Sequence, residues 1–424
     1  MRLALALFLA VLPAALNAQT TPPSPQVAAS VPPSPIDAFY AARSQSPVWL
    51  KDDATRSAAT ALASILRNAD LDGLADGPQL ADRVEAAIAA NDDKTISAAW
   101  VRFVQALKAP VKGVSFGDPA LQLETPGPAA ILSEAAKAPS LVDHVKQTAA
   151  VNPFYAALRD AAVKQGATAD PHVRATLDRL RLIPAKGRLI LVDAANAQLM
   201  LLEDGRVVDS MKVIVGKPKF PTPLLAGKIW YVTFNPYWHI PQDVAQRKVA
   251  PIVIKRGVSY LKAARYETVA AFGKGEDPID PTSVDWKAVA DGSVEVHIRQ
   301  LNGPNNMMGK MKFGFANDYG VYLHDTPHKD LFARAKRDLS LGCVRLEHPE
   351  ALARWLLGRD PIPPDDGVEQ HVPLDGGVPI YVTYMTARPD GDTIAFAEDV
   401  YDLDSGNPVE VAKVSGSGGD VAAQ

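Results

Sequence analysis

Cys343 is the only cysteine among 424 residues, and it stands in Ser340-Leu341-Gly342-Cys343-Val344-Arg345, 19 positions after His324. A lone thiol cannot close an internal disulfide, and in an oxidising compartment it is exposed to mispairing. The nucleophile is thiolate, so a working cysteine needs a base beside it. An imidazole can take that proton and later return one to a leaving amine. A single cysteine can also be a small buried apolar residue; the surrounding residues favour chemistry.

In Val321-Tyr322-Leu323-His324 the side-chain period of a strand puts Tyr322 and His324 on one face and the two apolar residues on the other. Ser340 to Leu346 reads as a loop entering a second strand. Gly342 permits a tight turn that presents Cys343 at a rim, with backbone N–H groups beside it. Val344 and Leu346 then point inward, while Cys343 and Arg345 share the opposite face. His328 and His348 sit in polar, loop-like stretches, and His239 and His297 lie in aromatic or β-rich contexts that suit structural histidines. His324 is therefore the candidate base.

The elements that must hold these residues give an α+β chain: a helical N-terminal scaffold domain (36–182), then a mainly β, mixed-sheet domain (183–403). Short β-rich runs at 188–193, 198–203, 207–215, 228–234, 294–299, 320–324 and 379–386 build the second part, and Asp204-Gly205 is a hairpin signal. A long connection at 240–291, with a helical piece at 242–248 and many prolines, glycines and polar residues, is expected to be a lid. In the first part, helices are expected at 58–67, 80–90, 96–107, 153–164 and 173–182, with Trp100, Phe103, Val104 and Leu107 in a core. Residues 1–18 read as a signal peptide, with an uncleaved anchor as the alternative, and 19–35 as a proline-rich linker. Residues 404–424 are too poor in apolar side chains to be expected to fold. A periplasmic location follows from that leader. Net charge of −4 and a pI near 6.1 give no argument for nucleic-acid binding.

His324-Asp325-Thr326 followed by Ser340-Leu341-Gly342-Cys343-Val344-Arg345 resembles the signature of L,D-transpeptidases with a YkuD-type catalytic domain. The likeness extends to SMKVIVG (210–216), FNPYW (234–238), LFAR (331–334) and TYMTA (383–387), and is similar to the larger periplasmic members with a helical scaffold domain. It covers 177–402 strongly and the amino-terminal part weakly. Leu341 departs from the pattern, which often has histidine there, and no compact peptidoglycan-binding repeat is evident.

The resemblance implies acyl transfer between peptidoglycan tetrapeptide stems, donor and acceptor both, through a Cys343 thioester, giving 3→3 cross-links. It implies His324 as base then acid, with the Asp325 backbone carbonyl orienting it and the backbone N–H groups around Leu341 to Cys343, Gly342 among them, stabilising the oxyanion. Tyr322, Arg345, Ser340 and Trp238 would contact substrate; for Arg345 a bracing salt bridge, and for Trp238 a place in a core, are the competing roles. No metal or organic cofactor is required. Cell-wall synthesis proteins are candidate partners and carbapenems candidate covalent inhibitors. The rival outcomes on the same fold are an L,D-carboxypeptidase, hydrolysis of a protein–peptidoglycan link, or a non-catalytic wall-binding scaffold.

Overall fold

The computed structural model describes residues 34–273, 276–362 and 367–405. The leader expected at 1–18, most of the linker expected at 19–35 and the tail beyond 405 lie outside the described residues.

Helices dominate up to residue 180. Asp53–Leu66 starts at a capping box in which the Asp52 carboxylate accepts from the Thr55 N–H and the Thr55 side chain answers the Asp52 N–H. Asp93–Leu107 is capped by Asp92 in the same position. Both helices begin ahead of their apolar periodicity because the cap and first turn are polar. Trp100, Phe103, Val104 and Leu107 are buried as expected, with Trp49 edge-on to Trp100 at 5.9 Å. The helices Gly77–Ala90, Pro153–Gln165 and Pro171–Leu180 match the remaining expectations. Pro128–Lys137 and Leu141–Ala150 are additional, each burying only three residues, too few for a clear helical period.

The strands, in chain order, are β1 (Ser115–Phe116), β2 (Arg188–Asp193), β3 (Gln198–Glu203), β4 (Arg206–Gly216), β5 (Leu225–Phe234), β6 (Trp238–His239), β7 (Tyr266–Val269) and β8 (His297–Gln300). They continue as β9 (Met311–Phe313), β10 (Leu323–His324), β11 (Asp338–Ser340), β12 (Val344–Leu346), β13 (Gln370–Thr383), β14 (Ala387–Asp390) and β15 (Thr393–Phe396). The main sheet runs β1-β5-β13-β2-β3-β4-β12-β10-β9, and β9 also pairs with β5, so the sheet closes on itself. The β3–β4 turn is Asp204-Gly205, both at positive φ (49° and 75°), as a two-residue hairpin requires.

Closure gives the sheet an inside and an outside. Ile190, Val192, Leu199 and Leu201 point into the closed sheet with Leu323, Val344 and Leu346. Leu189, Leu191, Met200 and Leu202 point the other way, into one core shared with the scaffold helices. Two buried faces explain why β2 and β3 read as unbroken apolar runs rather than alternating ones.

The 240–291 segment is more than an irregular lid. β6, β8 and β7 form a second sheet, and the short helices Ala250–Arg256, Ser259–Ala263 and Trp286–Asp291 pack on it. Ile240, Val249, Val253, Leu261, Trp286, Val289 and Ile298 give this insertion its own core. Short apolar stretches between prolines and glycines hide such a core from a linear reading.

Asp404 also departs from expectation: its carboxylate is almost fully buried, accepting from Arg179 at 2.6 Å and facing His172 Nδ1. Arg179 Nη1 also donates to the Tyr384 carbonyl at 2.8 Å. The ordered chain therefore continues past 403, fixed by charge rather than by apolar content.

Candidate active site

Leu323 and Val321 are buried in the closed sheet, so the period of two turns Tyr322 and His324 to the opposite face. β12 lies parallel to β10 with Leu323 opposite Val344 and His324 opposite Arg345. The Val344 N–H donates to the Tyr322 carbonyl at 3.0 Å. The same register brings Cys343 alongside Tyr322, one strand step from His324. On the other side of β10, antiparallel β9 sets Lys312 opposite His324. Lys312, His324 and Arg345 thus form one row across three strands, with Cys343 next to it.

His324 is 5% exposed, and its Nδ1 lies 2.5 Å from the Asp325 carbonyl oxygen. A carbonyl only accepts, so Nδ1 carries the proton and Nε2 keeps a free lone pair. Burial, then the Arg345 charge, lowers the His324 pKa to about 4; the Asp325 carbonyl opposes the shift and the Lys312 charge adds to it. Cys343 is half-buried, with Sγ 3.7 Å from the Gly320 carbonyl. Burial raises its pKa, while the Tyr322 backbone amide and the charges of Arg345 and Lys312 pull it back. At neutral pH the resting pair is a thiol and a neutral imidazole.

The loop bearing the thiol is pinned from both sides. Ser340 Oγ donates to the Cys343 carbonyl at 2.6 Å and accepts from the Gly342 N–H at 3.1 Å. Thr222 Oγ1 donates to the Gly342 carbonyl at 2.8 Å and accepts from the Gly216 N–H at 2.8 Å. Gly342 adopts φ 121°, a left-handed value that favours glycine. Tyr401 donates its hydroxyl to the Gly216 carbonyl and stacks on Tyr384, their centroids 5.0 Å apart.

These bonds narrow the N–H groups expected around the oxyanion, from Leu341 to Cys343. The Gly342 N–H is committed to Ser340, and the Asp325 N–H donates to the Met311 carbonyl at 2.9 Å. Among the described residues, the N–H groups of Leu341 and Cys343 have no protein acceptor. Ser340, expected to touch substrate, is buried and internally bonded at 1% exposure. Trp238 lies in β6 and packs, half-buried, against the insertion core, the role that competed with substrate contact.

Arg345 has no salt-bridge partner among the described residues, and its Nε is buried without a hydrogen bond. The bracing salt bridge is therefore absent there, and the guanidinium is left beside Cys343. Asp325 is held by Lys329 Nζ at 2.8 Å and by the Lys310 N–H at 2.8 Å. Gly309, at φ 62°, makes that fit possible: a Cβ there would fall 2.3 Å from Asp325 Oδ2. His328 and His348 are exposed, and His239 pairs with Glu276 at 3.0 Å.

Lys312 and Thr222 are the site residues that sequence reasoning missed. Lys312 carries a signal: a lysine between Met311 and Phe313 in an otherwise buried strand, 3% exposed, with Nζ 4.8 Å from the Tyr322 ring centroid. Thr222 carries none for its bond to Gly342, which lies 120 residues away.

Residues 187–382 match the YkuD L,D-transpeptidase catalytic domain, and residues 34–161 match a scaffold domain. A curated L,D-transpeptidase candidate of Haemophilus influenzae is 30% identical over 233 residues, covering 53% of this chain and 46% of that protein. The chain therefore spans about half the length of the curated relative it matches. Among solved structures, an L,D-transpeptidase from Mycobacterium smegmatis is 17% identical, covering 46% of this chain and 58% of its own, at a TM-score of 0.24. L,D-transpeptidase 3 from Mycobacterium tuberculosis with a faropenem-derived adduct is 12% identical, covering 46% and 60%, at a TM-score of 0.23.

Proposed function

We propose that this chain, which belongs with the L,D-transpeptidases through residues 187–382, forms 3→3 cross-links between peptidoglycan stems by way of a Cys343 thioester. The observation that carries the proposal is the row Lys312–His324–Arg345 beside Cys343, with the imidazole tautomer fixed by the Asp325 carbonyl.

In this reading the donor is a tetrapeptide stem. Cys343 Sγ attacks the carbonyl at the L-centre of diaminopimelate as its proton passes to His324 Nε2. The tetrahedral oxyanion accepts from the Cys343 and Leu341 N–H groups, the kind of fixed donors that lower such barriers. Collapse breaks the C–N bond, and His324 returns the proton to the departing D-alanine amine. The side-chain amine of a second stem then attacks the thioester and gives its proton to His324; the C–S bond breaks and His324 returns that proton to sulfur, regenerating the thiol. Burial and the Arg345 charge keep the imidazole neutral at neutral pH, the form that can accept the thiol proton. Arg345, with no carboxylate partner among the described residues, offers its charge to a stem carboxylate, and Tyr322 lines the cleft. Because the substrate lies outside the cytoplasm, the reading includes export to the periplasm by residues 1–18. The same thiol makes carbapenems the expected covalent inhibitors.

Incubation with purified disaccharide-tetrapeptide, followed by mass analysis, tests the reading. Cross-linked dimer with released D-alanine is expected. Tripeptide without dimer would identify an L,D-carboxypeptidase, and no product would remove the enzymatic reading.

A further inference from the structure

A second concavity, of about 490 Å³, lies between the insertion and the chain just after it, lined from Val258 to Leu301. Val258, Leu261, Ile279 and Leu301 line it with apolar surface, and Lys262 and Arg265 supply positive charge. Glu267, the acid of the lining, is already held by Arg299 through bonds of 3.0 and 2.8 Å. Among the described residues neither Lys262 nor Arg265 forms a salt bridge. They close a stretch in which six basic residues (Arg247, Lys248, Lys255, Arg256, Lys262, Arg265) and no acidic one occur between positions 244 and 265, and all six are exposed.

The rim is also built rather than incidental. Arg265 adopts φ 56°, a left-handed conformation uncommon for a long side chain. Its carbonyl accepts from the Leu301 N–H at 2.9 Å, which fixes the turn against the concavity. Its guanidinium Nε lies 3.1 Å from where a Cβ on residue 303 would stand, so Gly303 leaves the arginine its place.

We propose that this concavity binds an acidic peptide with small apolar side chains, its carboxylates on Lys262 and Arg265 and its methyl groups on the apolar floor. Resting on the function proposed above, the ligand is a peptide stem of the wall, held away from the thiol as a docking point for a neighbouring strand. Opposite charge gives both the recognition and its sensitivity to salt. An acidic protein segment would share this chemistry, and the experiment separates the two sources.

The full chain carrying Cys343→Ala is titrated with soluble disaccharide-tetrapeptide and, in parallel, with an unrelated acidic alanine-rich peptide, while amide hydrogen exchange is followed. The tetrapeptide is expected to protect residues 258–268. Combining Lys262→Ala with Arg265→Ala should weaken that binding about tenfold, the scale of losing two exposed charge contacts. Lys262→Glu alone, on an exposed helical position, should act in the same direction. With the thiol intact, carbapenem acylation of Cys343 should proceed equally in the parent and the double variant. Unchanged exchange at 258–268, or equal affinity in the variants, overturns the site. Binding of the unrelated peptide but not the tetrapeptide overturns its assignment to the wall. Failure of carbapenem to acylate the parent would count against the thiol mechanism and leave the peptide result standing.

Discussion

Two histidines, each near an arginine, sit in this molecule in opposite circumstances. In the insertion, His239 Nε2 faces Glu276 at 3.0 Å, and Arg299 reaches both Glu276 (2.7 Å) and Glu267 (2.8 Å). The Phe272 ring packs on His239 with centroids 4.6 Å apart. Each of the four side chains His239, Glu276, Arg299 and Glu267 has a charged protein partner. In the cleft, His324 has only a backbone carbonyl on Nδ1, and Arg345 has no carboxylate among the described residues. A buried cation without a counter-ion costs stability. The contrast separates charge that completes a fold from charge that the fold leaves unpaired among the described residues.

The sharpest break in that comparison is Cys343→Ala. It should abolish the mass shift produced by a carbapenem, and an undiminished adduct would move the nucleophile elsewhere. Next, His324→Ala should slow acylation by at least about a hundredfold, the usual scale of general acid–base work. His239→Ala should leave acylation nearly intact and instead cost about 1 kcal/mol of stability through its lost hydrogen bond. Equal rate losses in the two variants, read by time-resolved mass spectrometry, would erase the distinction.

The pH profile sharpens it further. Because protonated His324 cannot accept a proton, acylation should fall as pH drops through about 4, well below the ordinary histidine value of 6.5. Arg345→Gln removes a positive charge that disfavours imidazolium, so the acid limb should move upward while burial still holds it below 6.5. A limb that stays in place would deny Arg345 its influence on the base.

Gly309→Ala should drive a methyl group into the Asp325 carboxylate and slow acylation about tenfold, equivalent to about 1.4 kcal/mol of barrier. A wild-type rate for this variant would mean that Asp325 does not position His324. The smallest effect on acylation is expected from Thr222→Val, which removes a hydroxyl bonded to Gly342 and Gly216. It should lower stability by about 1–3 kcal/mol in thermal or urea unfolding, and an unchanged midpoint would show the loop to be pinned without it.

Much of the site was legible because it depends on local rules. Alternation in Val321-Tyr322-Leu323-His324 assigned faces correctly, and Gly342 announced a special turn. The hairpin at Asp204-Gly205 was equally local. What escaped depends on register between distant segments. Nothing near Lys312 says that β9 will set it opposite His324, and nothing near Thr222 says that it will bond residue 342. Which oxyanion donor within the range Leu341 to Cys343 is already committed was illegible for a related reason. Which N–H remains free is decided by Ser340 Oγ turning back onto its own loop, a side-chain choice invisible to spacing. The insertion core was hidden because its apolar residues are scattered over some sixty positions, from Ile240 to Ile298, among breakers that usually mark loops.

Strands β2 and β3 bury Leu189, Leu191, Met200 and Leu202 against scaffold helices rather than inside the closed sheet. Four such side chains, each contributing roughly 1.5–3 kcal/mol when buried, would meet water if the catalytic half were made alone. The two halves therefore cannot be recombined freely with other partners. A gene fusion that replaced the scaffold would have to reproduce its apolar imprint on β2 and β3, and without it the exposed sheet face would promote self-association. Physical complementarity of this kind ties the inheritance of one half to that of the other.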